Sequence, residues 1–69
     1  MVRVMLSTGK AVEVGIARKP LVVIGDRPGD PLFVPDVEAF ADDEDEAFGE
    51  QRRLRAAYPD VAWFVMRLW

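Results

Sequence analysis

Met1 to Ile16 reads as a β-hairpin of two alternating strands. Val2, Val4 and Leu6 interleave with Arg3 and Met5, and Val12, Val14 and Ile16 interleave with Glu13 and Gly15. A period of two places alternate side chains on opposite faces, which is the signature of a half-buried strand. Ser7-Thr8-Gly9 separates the two runs. A type I turn followed by Gly9 in the left-handed conformation closes a three-residue hairpin loop. That turn predicts a register with Val4 opposite Val12, Val2 opposite Val14 and Arg3 opposite Glu13. A slip of one residue would set Val4 against Glu13 and mix the faces.

Lys19-Pro20 interrupts the pattern, because proline has no N–H to give a ladder and belongs at a strand start or edge. Leu21–Ile24 then reads as a third strand, and its continuous apolar character predicts burial on both sides. Gly25-Asp26-Arg27-Pro28-Gly29-Asp30-Pro31 carries dense turn chemistry. Leu32-Phe33-Val34 is expected as a brief extended piece. Asp36 has the chemistry to cap a first helical turn holding Val37 and Phe40. Asp43 is expected to cap a longer helix from Glu44 to about residue 57, with Glu46 completing a capping box. One helix over 37–57 is the alternative. The apolar stripe of the longer helix is Ala47, Phe48, Leu54 and Tyr58, and Pro59 ends it. Val61 to Trp69 forms the last strand. Ala62, Phe64, Met66 and Leu68 share one face; Val61, Trp63, Val65, Arg67 and Trp69 share the other. The order β-β-β-α-β predicts an α+β fold: a small antiparallel or mixed sheet with one main helix packed on one face. Residues 1–69 are expected to form a single domain.

Composition narrows the chemistry. The 69 residues contain no cysteine and no histidine. Disulfides and thiolate ligands are therefore excluded, as are the commonest general base and metal ligand. Ser7 and Thr8 are the sole serine and threonine, so neither has a histidine to activate it. Ser7-Thr8-Gly9-Lys10 lacks the glycine spacing of a phosphate loop and lies in a hairpin, not between strand and helix. The longest apolar stretches, Leu21–Ile24 and Val61–Met66, are too short to span a bilayer. Arg3 and the Ser7–Lys10 segment interrupt any signal-peptide pattern, so a cytoplasmic protein is expected. Arg outnumbers Lys seven to two, a composition typical of GC-rich bacterial or phage genomes.

Net charge is −3, and its distribution matters more than its size. Asp42-Asp43-Glu44-Asp45-Glu46 is an unbroken acidic run inside a block that also holds Asp36, Glu38 and Glu50 and no base. Adjacent like charges repel, so something must offset them. One sufficient explanation is the helix macrodipole, which favours acids at its start and bases at its end. Asp43 to Glu46 and Arg52 to Arg55 have that polarity. Asp42, Asp36, Glu38 and Glu50 exceed what one helix terminus can use. Asp42, Asp45 and Glu46 have a helical spacing that could hold a divalent cation, but no calcium-loop spacing accompanies them. Arg52, Arg53 and Arg55 with Arg18-Lys19 form a basic set. The nearby acids would repel a phosphate backbone, so direct nucleic-acid binding is not expected.

The expectation is a non-enzymatic interaction module or inhibitor, of the phage or mobile-element type. Asp36, Glu38, Asp42, Asp43, Glu44, Asp45, Glu46 and Glu50 would dock on a basic protein surface, of the kind that normally holds nucleic acid. The alternative is a small structural subunit that forms a homodimer through an exposed aromatic face of Trp63, Val65 and Trp69. Catalytic residues, metal ligands, cofactors and membrane contact are not expected.

Overall fold

The structure is a computed structural model and describes residues 2–69. Strands β1 (Val2–Met5) and β2 (Ala11–Val14) pair antiparallel as a hairpin. Val2 lies opposite Val14, Arg3 opposite Glu13 and Val4 opposite Val12, which is the register the alternation predicts. Gly9 has φ of +91°, the left-handed geometry that closes this turn and that glycine adopts without steric cost.

Strand β3 (Leu21–Asp26) is buried at every position. It runs two residues beyond the expected Ile24 and is the central strand of a three-stranded sheet. Antiparallel neighbours flank it: β4 (Asp36–Ala41) on one side and β5 (Ala62–Arg67) on the other. Helix α1 (Glu44–Ala57) joins these two outer strands. The described residues thus form an α+β fold of five strands and one helix, with two antiparallel sheets and the helix packed against one of them.

Asp36–Ala41 is the main departure from expectation. It is a strand, not a helical turn, and it adds an element before the helix. Asp36 Oδ1 accepts from the N–H of the next residue, Val37, at 2.9 Å. A helix cap would instead accept from a residue two or three further on. The segment pairs along its length with β3, from Gly25 opposite Asp36 to Leu21 opposite Ala41. Pairing with a distant strand overrides the local capping signal. The helix therefore begins at Glu44, behind its Asp43 cap, and is a single element.

The molecule has three layers. On one face of the three-stranded sheet sits the hairpin, whose Val4, Leu6, Val12 and Val14 pack on Val22 and Ile24. Phe64, Met66 and Leu68 join this cluster. On the opposite face sits α1, with Ala47 against Leu21 and Ala41, and Leu54 against Val23 and Trp63. The two faces of the last strand are thereby covered by different elements. The hairpin covers the face that carries Phe64, Met66 and Leu68. Among the described residues no helix is long and apolar enough to cross a membrane.

Candidate functional site

The acidic run is taken up largely by contacts within the chain. Asp43 is the N-cap of α1, and its Oδ1 accepts from the Glu46 N–H at 2.8 Å. Glu46 reaches back to accept from the Asp42 N–H at 3.1 Å. This is a capping box in which the glutamate reaches one residue further than the usual partner. Lys19 bridges the same corner, with Nζ 3.3 Å from Asp42 and 3.6 Å from Glu46. The hydrogen bond and charge of Asp42, with the charge of Glu46 beside it, raise the Lys19 ammonium above its ordinary value. Glu44 lies 3.9 Å from Arg67 on β5. Asp45 remains, in the first turn, where the macrodipole favours it. Further along the helix, Glu50 accepts from Arg53 at 2.6 Å.

Asp36 and Glu38 are placed differently. Five strand residues lie between Asp36 and the run, and the six steps span roughly 20 Å of extended chain. The structure does not bring them to the helix start. It brings them to the other end of the helix, where they line a cleft of about 220 Å³ with Gly25, Phe33, Tyr58, Val61 and Trp63. A bulge creates this arrangement. Val23 pairs with Ala39 and Ile24 with Val37, so Glu38 is the unpaired extra residue on β4. A bulge redirects the side chain of the residue it inserts. Here Asp36 and Glu38 both line the same cleft. No ion pair engages either of them among the described residues.

The cleft is set by local packing. A Cβ on Gly25 would lie 2.6 Å from the six-membered ring of Trp63. Only glycine lets that ring lie against the β3 backbone. Trp63 Nε1 donates to the Tyr58 carbonyl at 3.3 Å, and Gln51 Nε2 donates to the Trp63 carbonyl at 2.8 Å. The Tyr58 and Trp63 rings are 6.1 Å apart and inclined at 49°. Beyond Phe33, the Arg27 guanidinium sits 5.3 Å from the ring centroid and pairs with Asp60.

A second charged centre escaped sequence reasoning. Asp26, at the end of β3, is fully buried. Its carboxylate accepts from Lys10 Nζ at 2.8 Å and from the Thr8 hydroxyl at 3.1 Å. Lys10 also donates to the carbonyls of Arg27, Asp30 and Phe33, at 3.0, 2.7 and 3.2 Å. One ammonium thus ties the hairpin to β3 and holds the loop that carries Phe33. Burial alone would raise the Asp26 carboxyl. The Lys10 hydrogen bond, the Arg27 backbone N–H and the Thr8 hydroxyl outweigh burial and hold it below the ordinary carboxylate value. Nothing local in the sequence marks this pair, because Lys10 and Asp26 meet only once hairpin and sheet are stacked.

The three residues expected on an exposed aromatic face have separate environments. Trp63 is 7% exposed beneath α1, and Val65 is partly buried beside it. Trp69 is 65% exposed. The single exposed face anticipated for all three is absent, because the helix covers Trp63 and Val65. No cluster of three metal-ligating groups occurs among the described residues. No family model, no curated protein and no solved structure matches this chain.

Proposed function

We propose that this protein is a non-enzymatic interaction module whose acidic edge docks on a basic surface of a partner protein. One observation carries the reading: Asp36 and Glu38 line an aromatic cleft and have no cation paired with them among the described residues. Two like charges side by side repel, and a cation supplied from outside removes that repulsion. The segment leading into β4 adds apolar contact area, since Leu32 and Val34 are 89% and 79% exposed. Exposed apolar residues rimmed by charge are the usual make-up of a protein-binding patch. The helix-start acids, already engaged with Lys19 and Arg67, contribute general negative potential that speeds encounter with a basic partner. A partner surface that ordinarily contacts phosphate has the matching charge.

The reading makes affinity electrostatic. Charges beyond about 8 Å are screened at physiological salt. Binding of a polyarginine peptide, followed by calorimetry, is expected to weaken by about tenfold or more between low and physiological salt. The double variant D36N/E38Q is expected to weaken it at fixed salt. Salt-independent binding, or equal affinity of the double variant, would contradict the proposal.

A further inference from the structure

We infer that the cleft bounded by Asp36, Glu38, Tyr58 and Trp63 receives a single arginine side chain of the partner. The inference rests on the docking reading and specifies its anchor. Size is the first argument. Small-molecule pockets run from about 300 to 1,000 Å³, whereas this cleft is about 220 Å³. It suits one side chain rather than a cofactor. Its lining is the second. The acidic residues Asp36 and Glu38 line it together with Phe33, Tyr58 and the largely buried Trp63. Carboxylates and aromatic rings both attract a cation. Together they favour a guanidinium, which is planar, stacks on rings and presents a fork of donors to carboxylate oxygens. An ammonium is a compact, strongly hydrated point charge and matches the flat walls less well.

The chain carries its own example of this recognition. Arg27 sits over the Phe33 ring at 5.3 Å and pairs with the Asp60 carboxylate. An incoming arginine would make the same two kinds of contact, with the half-exposed Tyr58 ring as its stacking partner. Arg27 pairs with Asp60, and Lys10, 5.9 Å from the Phe33 ring centroid, pairs with Asp26, so neither forms an ion pair with Asp36 or Glu38. The bulge at Glu38 is the third argument. It takes Glu38 out of the ladder on the strand that lines the cleft, and bulges recur where a side chain is re-aimed for function. It also breaks the regular edge of β4, so the strand is a poor template for an added peptide strand. Recognition by an inserted side chain fits this edge better.

A blocked Gly-Arg-Gly tripeptide is the probe, with lysine and citrulline counterparts as controls. Amide and indole shifts in ¹⁵N NMR spectra report where each peptide binds. The arginine peptide is expected to give saturable shifts at the Gly25 amide and the Trp63 indole N–H. The lysine peptide should bind about threefold more weakly or worse, and neutral citrulline should leave these signals unmoved. D36N/E38Q is expected to lower the affinity about tenfold. Tyr58→Ala, at a half-exposed site, should lower it about threefold. Citrulline binding as well as arginine would overturn the inference, as would unchanged affinity in D36N/E38Q. Shifts confined to Asp42–Glu46 would overturn the cleft while leaving acidic docking standing. No response to the tripeptide or to polyarginine at low salt would overturn both.

Discussion

Single residues decide how well this small chain holds together. Lys10 stands out, because its ammonium serves one buried carboxylate and three loop carbonyls at once. Removing one partner of a buried pair leaves the other charge desolvated and unanswered. Lys10→Met should therefore cost about 3 kcal/mol, the lower end of the usual range, since Lys10 keeps some contact with water. For a chain of this size that is a large share of the total stability. Urea unfolding would measure it, and a loss within error of zero would remove the pair from the account. The same pair sets an acid limit. The Asp26 carboxyl is held below its ordinary value of 3.8 in the fold. Its contribution is present above that value and is lost as pH falls through the lower folded value. Wild-type stability should decline below about pH 4. Asp26→Asn, which takes up no proton there, should show a flatter profile over the same interval. Parallel acid profiles for the two proteins would contradict the assignment.

At the scale of elements, what could be read from the sequence was what local chemistry determines. The hairpin was legible because alternation and the Gly9 turn specify the same register. The start of α1 was legible because Asp43 and Glu46 carry a capping signature in four residues. Asp43→Ala should lower stability by about 1 kcal/mol, read from thermal or urea unfolding. A neutral result would mean that the Lys19 bridge at Asp42 and Glu46 holds the helix start without the cap. The strand at Asp36–Ala41 was not legible. Its leading aspartate and its mixture of Val, Ala and Phe fit a helical turn as well as a strand. Only pairing with β3, which lies across the loop, decides between them. The burial of Trp63 was hidden for a related reason. A two-sided apolar strand does not reveal which layer covers which face. The hairpin doubles back to cover Phe64, Met66 and Leu68, and this frees the helix to cover Trp63 and Val65.

At the scale of the whole molecule, stacking of the three layers divides one acidic block into two groups. Composition placed Asp36, Glu38, Asp42–Glu46 and Glu50 together, and helix-start chemistry accounted only for Asp43 to Glu46. The separation comes from which cations the fold delivers. Lys19 arrives beside Asp42 and Glu46, Arg67 beside Glu44 and Arg53 beside Glu50. Asp36 and Glu38 are carried instead to the aromatic cleft at the far end of α1. Functional weight moves accordingly, from the conspicuous run, most of which the helix start engages, to the two acidic residues that line the aromatic cleft. A charge-matched comparison tests this most directly. D36N/E38Q and D42N/D45N each remove two negative charges, and both spare the Asp43 cap. At one ionic strength, affinity for a polyarginine peptide should fall about tenfold in the first and less than about threefold in the second. Equal losses, or a larger loss in D42N/D45N, would contradict the account.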